Sequence, residues 1–119
     1  MRLYTLGVLL LIAPAGCLRQ ADAFARKGAR LGCKRIEACN NDFFETEYSG
    51  DASLCRDDIE NNSQFSFDAL EAMGCTYQPD EARACIRATR RNKDTCGDEA
   101  DAEIDDACRD VFDCSDAGP

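Results

Sequence analysis

Nine cysteines stand in a chain of 119 residues that has no Trp, six Phe and three Tyr. A short chain with so few large apolar side chains builds a thin interior, and cross-links must supply the stability that burial does not. Cysteine at this density is the composition of a disulfide scaffold. The length admits one domain and a leader.

Spacing restricts how the sulfurs can pair. Cys33 and Cys39 are six residues apart, as are Cys108 and Cys114. On a helix six residues rise about 9 Å, beyond the roughly 7 Å that the Cα atoms of a disulfide tolerate. If its helix is intact, each cysteine must therefore reach another element. Cys33, Cys39, Cys55, Cys75, Cys85, Cys96, Cys108 and Cys114 are the expected bridge residues, and any of their pairings stays open. Four bridges at about 2 to 4 kcal/mol each rival the net stability of a small domain.

The elements between them read as helices, with no run of alternating β-branched and polar residues. Cys33, Ile36, Phe43, Phe44 and Tyr48 recur at helical spacing before Gly50. Cys55 and Ile59 share a face within 52–60, and Ser66 precedes a stripe of Phe67, Leu70 and Met73 that stops at Gly74. Pro79 opens the clearest helix: Asp80 and Glu81 meet the positive end of its dipole, and Arg90 and Arg91 the negative end. Its stripe is Ala82, Cys85, Ile86 and Thr89. A last helix over about 101–112 sets Ile104, Cys108, Val111 and Phe112 inward. The expected fold is all-α, a small disulfide-rich bundle of about five short helices.

The amino terminus supplies the address. Met1 and Arg2 precede an apolar run from Leu3 to Ala13, too short to stay in a bilayer, which needs about 20 residues, and of the length of a secretory leader. Cleavage could follow Ala15 or Ala23, both ending A-x-A patterns, or precede Cys17. A cut after Ala15 leaves an odd thiol in an oxidising compartment, whereas acylation of Cys17 leaves eight to pair.

Ala15-Gly16-Cys17 resembles the end of a bacterial lipobox, with Pro14 where Leu is usual. The resemblance implies a signal peptide over 1–16, a fatty-acyl (palmitate-type) anchor on Cys17 and, with Leu18 following, transfer to the outer membrane. Gly74-Cys75, Tyr77, Pro79, Ala82, Cys85, Cys96, Cys108, Val111-Phe112 and Cys114 are similar in spacing to small cysteine-rich lipoproteins of the myxobacterial type. That class carries no known activity.

Charge divides the exported part. Leu18 to Ile36 holds Arg19, Arg26, Lys27, Arg30, Lys34 and Arg35 against Asp22 alone, net +5. From Glu37 onward 22 acidic residues face seven basic ones, net −15. The acidic body repels phosphate and so disfavours nucleic acid. Residues 17–32 read as a lipidated Cys with a basic tether held against anionic headgroups, and 33–115 as the disulfide-stapled domain.

Chemistry has little to stand on. Without His the usual general base and the Ser-His and Cys-His pairs are absent, and no C-x-x-C occurs. Asp57 and Asp58 are adjacent carboxylates of the kind that face water. Asn92, Asp94, Gly97 and Glu103 match EF-hand positions 1, 3, 6 and 12, but Cys96 occupies position 5 and Glu99 position 8. Asn61-Asn62-Ser63 is a sequon of consequence only in a eukaryotic secretory pathway. The expectation is no enzyme, no cofactor and no metal site. The leading reading is an envelope-anchored binding or structural module, joined to the membrane through Cys17 and with a protein partner left open. Its docking patch would involve Phe43, Phe44 and Tyr48, or Phe65 and Phe67. The alternative is a freely secreted disulfide-rich inhibitor or effector.

Overall fold

Small residues create the first helix. α1 (Ala21–Cys39) carries Ala21, Ala25, Ala29 and Gly32 among its inward positions. Ala loses no rotamer freedom in a helix and lets a neighbour come close; a Cβ on Gly32 would lie 3.9 Å from Ile59 Cδ1 of α3. The computed structural model describes residues 18–117, which form five helices and one short strand pair.

Asn40, at φ −145° and ψ 60°, breaks the chain out of α1, and α2 (Asn41–Tyr48) follows at once. Asp51 then caps α3 (Ala52–Ala72), its carboxylate accepting from the Ser53 and Leu54 N–H groups at 2.8 and 3.4 Å. α3 ends in a Schellman motif: Cys75 N–H donates to Leu70 O and Gly74 N–H to Glu71 O, both at 3.0 Å. The motif needs the left-handed φ of +92° that Gly74 adopts, and it delivers Cys75 to β1 (Thr76–Tyr77). α4 (Pro79–Arg91) and α5 (Asp98–Cys108) form an antiparallel hairpin, and β2 (Phe112–Asp113) pairs with β1 in the register Thr76 to Asp113 and Tyr77 to Phe112.

α1 lies between two partners. It runs antiparallel to α3, with Phe24 stacked on Phe67 (centroids 5.6 Å apart) near one end and Cys33 bridged to Cys55 nearer the other. It runs parallel to α4: Tyr77 Oη donates to Leu18 O at 2.8 Å at one end, and Arg35 Nε to Asn92 O at 3.1 Å at the other. Two cores result. Leu18, Phe24, Leu31, Ala82, Cys85, Ile86 and Val111 form one, with Phe67, Tyr77 and Phe112 against it. Cys33, Phe44, Tyr48 and Cys55 form the other.

The all-α, disulfide-rich expectation matches this architecture, but the boundaries shift. The basic tether expected over 17–32 is corrected from Leu18 onward: residues 18–32 are the first turn and first half of α1, with Leu18, Phe24 and Leu31 buried. The helical domain therefore starts about fifteen residues before Cys33, and Cys17, like the leader 1–16, lies outside the described residues. The two segments expected around 52–60 and 66–73 are one helix of 21 residues. The last helix stops at Cys108, because Val111 and Phe112 turn back to pair with the strand after Cys75.

Candidate functional site

The sulfur framework links α1 to α3 and to the turn before α5, and α4 to α5, leaving α2 without a bridge. Cys33–Cys55 joins α1 to α3, and Cys39–Cys96 joins the end of α1 to the turn before α5. Cys75–Cys114 closes the strand pair, and Cys85–Cys108 fastens α4 to α5. Their Cα separations run from 4.2 to 6.0 Å, within reach of a disulfide. All eight described cysteines are paired with one another. Four disulfides belong to a chain that folds in an oxidising, extracytoplasmic compartment. No helix of the described residues is long and apolar enough to cross a membrane.

The expected aromatic patch is divided. Phe44 is 2% exposed, Tyr48 is buried with its Oη donating to Asp58 at 2.8 Å, and Phe67 packs on Phe24 and Phe112. Only Phe43 and Phe65 are exposed, on different helices. Asp58 is thereby a structural acceptor for Tyr48 and Asn62.

The segment that resembles an EF-hand is tied up internally. Asn92, the one buried polar residue of the described chain, donates through Nδ2 to Ala88 O at 2.9 Å and to Glu103 Oε2 at 3.0 Å. Arg91 takes Glu103 Oε1 at 2.6 Å, and these partners hold the Glu103 carboxyl below its ordinary value. Arg35 donates to Asn92 O and Thr95 O, both at 3.1 Å, and pairs with Asp101 at 2.6 Å. Cys96 is in a bridge, and Asp98, Glu99 and Asp101 form the first turn of α5, where its dipole favours them. No set of converging oxygens remains for calcium. Arg35 is the residue whose role sequence reading misses: its partners are 57 or more positions away, and only the fold brings them to it.

Tyr48, Tyr77, Glu103 and Asp113 are displaced away from neutrality. Burial pushes the Tyr77 phenol up to about 12, and the hydrogen bond to Asp58 raises Tyr48. Ser115 N–H, donating at 2.9 Å, holds Asp113 low. Asp113 borders an open depression of about 400 Å³ with Glu81 and Asp110, all three exposed. A catalytic acid requires a carboxyl raised by an apolar pocket, the opposite of what surrounds Asp113.

What remains distinctive is the outer ridge of α1. Arg26, Arg30 and Lys34 recur every four residues, are exposed, and take part in no ion pair among the described residues; the same holds for Arg19, two positions after Cys17. Comparison with protein-family models, with curated proteins and with solved structures finds no match for this chain.

Proposed function

We propose that the protein is a lipid-anchored module of a bacterial envelope, on the outer membrane, that binds a partner or supports the envelope and performs no catalysis. The observation that carries this is the pairing of all eight other cysteines, which leaves Cys17 for acylation. The lipobox-like Ala15-Gly16-Cys17 and the apolar leader support the same assignment.

The alternative cuts conflict with the fold or the sulfur count. Cleavage after Ala23 would remove buried Leu18 and Ala21, and with them the acceptor of Tyr77 Oη. Cleavage after Ala15 would expose an unpaired thiol beside four disulfides, an invitation to exchange. The absence of His and the displacement of Tyr48, Tyr77, Glu103 and Asp113 away from neutral pH support a non-enzymatic role.

Intact mass of the chain purified from its native host, before and after thiol reduction, tests the assignment. The expected result is an amino-terminal Cys17 carrying a diacylglyceryl group, and a gain of eight hydrogens on reduction. An unmodified terminus at Gly16 or Phe24 would replace the anchored reading by a freely secreted one.

A further inference from the structure

Three observations converge on α1. First, its outer ridge is cationic and unneutralised: Arg26, Arg30 and Lys34 span about 12 Å along the axis, half-buried Lys27 lies beside them, and Asp22 and Glu37 end the run. Second, this stretch is the exception in an acidic molecule, since everything from Glu37 onward has net charge −15. Third, the packed domain begins one position after Cys17 in sequence. Leu18 is 5% exposed and its carbonyl accepts from Tyr77, at the amino-terminal end of the same helix.

An acidic body held close to an anionic surface is repelled through every face but one. We propose that α1 is a membrane-docking face: an anionic phospholipid surface binds along Arg19, Arg26, Arg30 and Lys34, so that α1 lies along the bilayer. The inference rests on the anchored reading for its setting. It gives the adjacency of Cys17 to packed Leu18 in the sequence a purpose, because an anchor at one end of α1 and a cationic ridge along it are satisfied together only when the helix lies down. The lower border of the ridge is an open depression of about 430 Å³ between Lys34 and Glu37 on one side and Lys93 and Asp94 on the other. The opposed charges at that border mark where the attraction ends. The partner-binding surface of the anchored module is then left to the acidic faces of α2, α3 and α5, turned toward the aqueous side.

The test uses the chain from Cys17 onward with Cys17→Ser, which retains both cores and all four bridges and carries no acyl group. Flotation at low ionic strength compares phosphatidylcholine vesicles with vesicles that also contain phosphatidylglycerol. The protein is expected to partition onto the anionic vesicles alone, and to be released as salt shortens the screening length. Arg26→Gln with Arg30→Gln is expected to lower that partition about 25-fold, about fivefold for each charge. Arg56→Gln with Arg109→Gln, the same change of net charge on α3 and after α5, is expected to leave it within about twofold. Equal partition on both vesicle types, or equal losses in the two double variants, overturns the docking face. Because no acyl group is involved, that result is separable from the mass measurement: an unlipidated native chain with ridge-dependent binding defeats the anchor and retains the face.

Discussion

The two cores are built differently. The one between α1, α4 and the strand pair contains Leu18, Phe24, Leu31, Ile86 and Val111, with Phe67, Tyr77 and Phe112 packed around it at centroid distances of 4.9 to 6.2 Å. Its apolar side chains hold much of it together, and of the Cys85–Cys108 bridge only Cys85 is among its seven buried members. The core between α1, α2 and α3 has four buried members, and two of them, Cys33 and Cys55, are one disulfide, with Ile36 and Ile59 against them. There the covalent bond is half of the buried set. A small domain with this composition relies on sulfur most where side chains are too few, so the same bond type is a minor part of one interior and a dominant part of the other.

The strongest way to break that contrast is to delete bridges in pairs. Loop-closure entropy ranks Cys39–Cys96, whose ends are 57 positions apart, above Cys33–Cys55, whose ends are 22 apart. The core argument reverses the order, because Cys55 is 0% exposed whereas Cys96 faces solvent. Cys33→Ala with Cys55→Ala is expected to cost about 4 kcal/mol, and Cys39→Ala with Cys96→Ala about 2 kcal/mol, by urea denaturation. If the longer loop proves the costlier loss, chain entropy and not burial governs this framework.

Next in size, Phe44→Ala removes the more deeply buried aromatic of the smaller core and is expected to cost about 3 kcal/mol or more. Phe65→Ala, at 78% exposure on the outer part of α3, should stay within about 0.5 kcal/mol. Comparable melting temperatures for the two variants would mean that the α2 corner is not a packed core at all.

The smallest effect belongs to the larger core and depends on pH. Tyr77→Phe removes the hydrogen bond to Leu18 O, worth about 1 kcal/mol at neutral pH. The folded phenol titrates at about 12 against an ordinary 10.0, chiefly because of burial. Its neutral form is the one the fold prefers, so that contribution is complete below pH 10 and is lost as pH rises toward 12. The wild type is therefore expected to lose stability over that window faster than Tyr77→Phe, in denaturation midpoints followed by circular dichroism. Parallel curves would place the Tyr77 hydroxyl in water and loosen the link between Leu18 and the strand pair.

How far these features were legible varied by element. α4 was readable end to end, because Pro79, the acidic first turn, Arg90, Arg91 and the Ala82–Cys85–Ile86–Thr89 stripe are all signals within one helix. The stop at Gly74 was equally local. The part of α1 before Cys33 was misread as tether because small residues, Ala21, Ala25, Ala29 and Gly32, occupy much of its inner face; they become core only when other helices lie against them. Ser66 was read as the cap of a second helix after 52–60, yet α3 runs through residues 61–65, since tertiary contacts at Ile59 and Phe67 on either side outweigh modest helix propensity.

Composition and spacing alone were enough to establish a sulfur-stapled helical body and a basic segment ahead of an acidic one, because each rests on residue identity or on contacts a few positions apart. Which cysteine meets which, the internal ties that bind Asn92 and Glu103, and the conversion of the basic segment into a rigid ridge all came from folding. These depend on groups tens of residues apart, and no local pattern records a neighbour that only chain collapse supplies.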